Sequence, residues 1–190
     1  CKTNFFNNKS IENNSFTLKT TYDAISIRNQ ILSVFERLLS AKEDEKERLL
    51  NLVIVGAGPT GVELAGAFSE IKKYFLPKDY PGIDFSTFTI YLVEGSNRTL
   101  NSMSEESGKT SMSYLTKMGV SVITETFVKD YDGHVAILSN EKAIPTATLI
   151  WSAGVKGNKI TGLPDEIWVA NDRVMVDRYN KVKGFDNIFA

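Results

Sequence analysis

The apolar positions fall into two patterns. Residues 52–55, Leu-Val-Ile-Val, form a short unbroken run rich in β-branched side chains, the signature of a strand buried on both faces of a parallel sheet. A second run over 87–94 ends on Glu94, and shorter ones lie at 120–123, 148–151 and 173–176. Segments 125–130 and 134–139 flank Asp132-Gly133, a dipeptide suited to a tight hairpin turn. Elsewhere the spacing is helical. Over 22–39, Ile25, Ile27, Ile31, Leu32, Val34, Phe35, Leu38 and Leu39 make a wide apolar stripe. Thr20 or Thr21 stands before it as N-cap and Asp23 in its first turn, which predicts a helix packed on the core.

A further helix is predicted over 59–75, and Pro77, Pro81 and Gly82 predict a surface loop after it. Ser102-x-x-Glu105 is a capping-box pattern opening a helix over 105–117, stopped by Gly119. The charged run 42–48 reads as a solvated helix end or linker, with Asp44–Arg48 and Glu43–Lys46 as supporting pairs. The Asn-rich residues 1–19 read as a loop. Strand–helix–strand–helix–strand, then hairpin and return strand, predicts an α/β fold: a Rossmann-like parallel sheet with helices plus an antiparallel β meander.

Composition narrows the function classes. A net charge of −1 gives no electrostatic case for nucleic acid. Cys1 is the only cysteine and His134 the only histidine, so neither a disulfide framework, a C-x-x-C pair nor a histidine-based triad or metal site is expected. No apolar run approaches the ~18 residues of a membrane span. The sequence lacks an initial Met and stops in mid-strand by pattern, which reads as a piece of a longer protein.

The chemistry concentrates after the first buried strand. Gly56-Ala57-Gly58-Pro59-Thr60-Gly61 has the spacing G-x-G-x-x-G between a strand and a helix. In that context Gly56 serves the turn, Gly58 lets backbone approach a pyrophosphate, and Gly61 lets helix pack on strand. The helix N-terminus then offers free N–H groups to phosphates, and Pro59 suits its first turn. The alternatives are a glycine-rich turn without ligand, or another kind of nucleotide site. Glu94, closing the second strand, is placed to bind the adenosine ribose of NAD, although it stands further from the glycines than the usual ~20 residues. Nearby Arg98 is either a phosphate partner that would favour NADP or a solvated loop charge. Glu63 falls in the predicted first turn of the dinucleotide helix, where the helix dipole stabilises a carboxylate. Gly154, in a small-residue turn after residues 148–151, either admits a ligand or is an ordinary turn.

These stretches together resemble one family. Val53-Ile-Val-Gly-Ala-Gly-Pro-Thr-Gly-Val-Glu-Leu-Ala-Gly66 looks like the NADH-binding motif of type II NADH dehydrogenases, flavin-dependent NADH:quinone oxidoreductases. Residues 18–32, Tyr91-Leu-Val-Glu94, Ile150-Trp-Ser-Ala-Gly-Val155 and residues 176–190 are similar to other parts of that family. The resemblance implies three segments: 1–48 leading in from a flavin domain, 49–156 binding NADH, and 157–190 returning toward the flavin domain. Neither of the family's two flavin motifs is contained in the sequence.

For the whole protein the resemblance implies hydride transfer from NADH to FAD and electron transfer on to a quinone, at the cytoplasmic side of a membrane as a peripheral protein. It leaves room for a homodimer. The piece itself is expected to be soluble, to bind NADH and not to turn over. The resemblance further implies that Gly56, Ala57, Gly58, Pro59, Thr60 and Gly61 hold the pyrophosphate, that Glu94 and Gly95 meet the ribose near Arg98, and that Ala153 and Gly154 line the cofactor cleft. Glu63 would act at the nicotinamide end as the catalytic residue. A soluble flavin-dependent reductase with another acceptor, and a non-catalytic NAD-binding redox sensor, remain open.

Overall fold

The computed structural model describes residues 1–190. In chain order the elements are β1 (Lys2–Thr3), α1 (Lys9–Asn14), α2 (Thr21–Leu38), α3 (Glu43–Leu49), β2 (Asn51–Val55), α4 (Pro59–Tyr74), α5 (Leu76–Asp79), β3 (Thr89–Val93), α6 (Glu105–Lys117) and β4 (Val120–Ile123). Strands β5 (Val128–Tyr131), β6 (Val135–Leu138), β7 (Ala143–Pro145), β8 (Thr148–Trp151), β9 (Val155–Lys156), β10 (Trp168–Val169) and β11 (Arg173–Val174) follow. The chain divides into two compact units, Asn8–Ala153 and Cys1–Asn7 with Gly154–Ala190.

The larger unit is built on a parallel sheet of order β4-β3-β2-β8. Helices α4 and α6 make its crossovers. Every residue of β2 is buried, as a central parallel strand requires. Leu52, Ile54, Ile90, Leu92 and Ile150 face a core filled by Ile31, Val34, Phe35 and Leu38 of α2, Ala65 and Phe68 of α4, and Leu115 of α6. Phe35 is its centre. The ring lies 5.4 Å from Phe85 and 5.5 Å from Phe88, both edge-on. A separate antiparallel sheet, β5-β6-β7, connects β4 to β8. The predicted α/β class and most predicted elements are present, and Asp132-Gly133 turns the hairpin.

Several expectations are corrected. Residues 1–19 are not simply loop: β1 and α1 lie there. Asn8 caps α1, Ile11 is 1% exposed, and Ser10 Oγ donates to Tyr131 O at 2.8 Å. The charged run is its own helix, α3, anchored by buried Leu49. Its ion pairs are Glu43–Lys46 and Glu45–Arg48; Arg48 does not pair with Asp44. Pro77 occupies the first turn of α5, where its missing N–H costs nothing. The cap of α6 is Ser104, not Ser102. The α2 stripe is narrower than its sequence pattern, since Ile25, Leu32 and Leu39 are exposed. The last predicted strand shortens to β11. Thr20 and Asp23 do form a full capping box on α2.

The smaller unit holds two short antiparallel ladders, β1-β9 and β10-β11, and buries Ile167 and Val182. No helix is long and apolar enough to cross a membrane.

Replacing Phe35 with Ala deletes a ring that three aromatic neighbours surround. The expected cost is about 3–5 kcal/mol, a fall of roughly 10–15 °C in the thermal midpoint by calorimetry. A fall of only a degree or two would contradict the packing described.

Candidate functional site

Register brings the site together. Val55 at the end of β2 pairs with Val93 of β3 on one side and Trp151 of β8 on the other. The residues just beyond, Gly56, Glu94 and Ser152, therefore meet at the carboxyl edge of the sheet, where doubly wound folds place their ligand crevice.

Gly56 turns the chain with φ +95°, and a Cβ there would lie 2.9 Å from the backbone of Ala153. Its N–H donates to Val93 O at 2.8 Å. At Gly61 an added Cβ would stand 1.9 Å from Gly56 O, so only glycine lets α4 start so close to the turn. Ser152 closes the other side: its Oγ lies 2.8 Å from Val55 O and 3.0 Å from Gly56 O, within reach to donate its one proton to either carbonyl. Gly58 differs from these two. Nothing lies within 4 Å of where its Cβ would be. It is the N-cap of α4 and no side chain caps the helix, so the N–H groups of exposed Thr60 and of Gly61 are left for a ligand. Pro59, at the first helical position, has no N–H to offer.

Glu94 reaches into this turn. Oε2 accepts the Ala57 N–H at 2.6 Å, and Oε1 accepts the Ser96 N–H and the Ser96 hydroxyl, each at 2.8 Å. Ala57 is further tied by Leu100, whose N–H donates to Ala57 O at 2.8 Å. Gly95 is exposed, with open space around it. Arg98 is engaged by its own loop. Its guanidinium donates to Asn101 O at 3.1 Å and Met103 O at 3.0 Å, and packs against Gly108 of α6. Nη1 is buried without a hydrogen-bond partner, so Arg98 is part of its loop's packing rather than a freely solvated charge.

Glu63 lies in the second turn of α4, not the first. The dipole benefit falls off within the first turn, so that explanation does not hold. Its side chain is exposed and makes no hydrogen bond or ion pair. Ala153 backs the Gly56 turn. Gly154 belongs to the smaller unit, where φ is +68° and an added Cβ would meet Asn4 O at 2.7 Å. Packing within that unit is sufficient reason for a glycine there.

Sequence reasoning missed Ser96 and Ser152. A hydroxyl residue two positions after a strand-end carboxylate was a usable signal for Ser96. Nothing local marked Ser152, whose role depends on the β2–β8 register.

The sequence profile described as pyridine nucleotide-disulphide oxidoreductase matches residues 10–190. The chain belongs to this family. Among curated relatives, it is 30% identical over 191 residues to the probable NADH dehydrogenase of Dictyostelium discoideum, covering 100% of this chain and 42% of that protein. It is 29% identical over 185 residues to the type II NADH:quinone oxidoreductase Ndh of Mycobacterium tuberculosis, covering 90% of this chain and 39% of the other. The solved structure of NDH2 from Plasmodium falciparum in complex with NADH superposes with a TM-score of 0.78 at 27% identity, over 83% of this chain and 33% of that one. The chain thus spans about two-fifths of the length of the curated relatives.

Gly61 and Gly58 should respond differently to alanine. Gly61→Ala forces backbone apart and should cost about 2–4 kcal/mol. Gly58→Ala should cost under about 1 kcal/mol, the difference between two N-cap residues. Denaturant titration of both variants checks this, and equal stabilities would contradict the geometry.

Proposed function

We propose that the crevice above Gly58 binds NADH and that the whole protein is a flavin-dependent NADH:quinone oxidoreductase. The observation that carries the reading is the 2.6 Å hydrogen bond from Ala57 N–H to Glu94. It makes the phosphate cradle and the ribose-reading carboxylate parts of one site. The open space at Gly58 and the uncapped start of α4 fit a pyrophosphate. Glu94 then meets the adenosine ribose and repels a 2′-phosphate. Arg98 spends Nη2 on two loop carbonyls, which weighs against a role on a 2′-phosphate. Glu63, further along α4 and exposed, is assigned in this proposal to the nicotinamide end.

When bound, NADH supplies a hydride, and the acceptor in this proposal is the flavin of the whole protein, with two electrons passing on to a quinone. The residues described here bind and orient the donor, so the chain alone binds NADH without turning over. The names of the relatives support the quinone. A peripheral respiratory enzyme at the cytoplasmic side of a membrane is the wider form of the same proposal.

Titration of the whole protein by nicotinamide fluorescence should give NADH a Kd at least about tenfold below that of NADPH, the effect of one charged contact. Binding of neither nucleotide would refute the site. Glu63→Gln removes an exposed charge and should change stability by no more than about 0.5 kcal/mol. NADH oxidation should nevertheless fall about tenfold or more, as expected on losing a group that acts only in the reaction. Unchanged turnover would return Glu63 to the status of a surface residue.

A further inference from the structure

We propose that Ser96 sets the preference for NADH over NADPH by holding Glu94 in its ribose-reading orientation. The inference rests on the reading of this strand end as the adenosine-ribose site. Glu94 Oε2 is fixed by the Ala57 N–H at 2.6 Å. Its other oxygen is held by a single residue: Ser96 gives Oε1 both its N–H and its hydroxyl at 2.8 Å. A carboxylate has about four lone-pair positions, so these three donors leave one direction for a ribose hydroxyl. They also stop the charged group from swinging aside to admit a 2′-phosphate.

Ser96 is itself anchored. Its carbonyl accepts the Glu125 N–H at 2.8 Å, tying the residue to the loop after β4. The hydroxyl has a second acceptor in reach, Arg98 O at 2.9 Å, and only one proton to give. The charged acceptor forms the stronger bond, which directs that proton to Glu94. Were it directed to Arg98 O, Ser96 would shape the loop and leave cofactor choice untouched. Ser96 is therefore a positioning residue, acting through Glu94, and the two assignments of its proton predict different outcomes.

The test compares NADH and NADPH Kd values on the full chain for the parent protein, Ser96→Ala and Ser96→Thr, with thermal midpoints alongside. Ser96→Ala should lower the NADH preference about tenfold, the size of one charge-assisted hydrogen bond, and Ser96→Thr should keep it within about threefold. The preference is a ratio measured on folded protein, so lost stability does not imitate the effect. Ser96→Gly supplies the same readout if the alanine variant does not fold. An unchanged preference in Ser96→Ala, with or without a lower midpoint, overturns the inference and leaves the NADH site standing. A parent protein that binds neither nucleotide, or both equally, overturns the ribose-site reading and the inference together.

Discussion

The contact between Gly61 and the Gly56 carbonyl governs the rest of the site. Because no side chain intervenes at Gly61, α4 begins directly against the turn that leaves β2. That start aims the first-turn N–H groups along the carboxyl edge of the sheet. It also sets the register of the helix on the core, since the buried face of α4 runs from Gly61 through Ala65 to Phe68 and Ser69. Each large apolar side chain buried along such a face stabilises the unit by about 1.5–3 kcal/mol. The same packing that holds the fold therefore holds the helix end in place for an anion.

Opposite that helix end stands a carboxylate. Glu94 is half-buried and satisfied by three donors from two loops. Partial burial of a charge is tolerable when it is hydrogen-bonded in this way. With the Glu125 N–H to Ser96 O and Thr126 N–H to Glu94 O bonds, these contacts make the glycine turn, the end of β3 and the loop after β4 one connected network. In the proposed complex, the helix dipole would face the phosphates and the carboxylate the ribose hydroxyls. Such an arrangement suits a dinucleotide better than either an isolated phosphate or an apolar ligand.

The elements legible in the sequence were those with their own periodicity. The unbroken run of β2 and the stripe of α2 declared themselves because burial dictates their composition. Elements held by tertiary contacts did not. α1 is a polar segment whose anchor, Ile11, is a single residue, and whose partners Lys129 and Tyr131 lie far along the chain. α3 looked like a solvated run because only Leu49 ties it down. At the site, the glycines followed from spacing, and Glu94 from its place at a strand end. The link between Glu94 and Ala57 did not, because it depends on the β2–β3 register, which no local pattern encodes. Arg98 illustrates the converse: proximity in sequence suggested a phosphate partner, while the fold of its loop engages Nη2 with two carbonyls and leaves Nη1 buried without a hydrogen-bond partner.

The central claim is that one crevice at the carboxyl edge of the sheet holds NADH by the first turn of α4 and by Glu94. A crystal structure of the protein with NADH bound tests it most directly. The pyrophosphate is expected over Gly58, within hydrogen-bond reach of the Thr60 and Gly61 N–H groups, with an adenosine ribose hydroxyl on Glu94. A nucleotide seated elsewhere, or one whose ribose leaves Glu94 without contact, would contradict it.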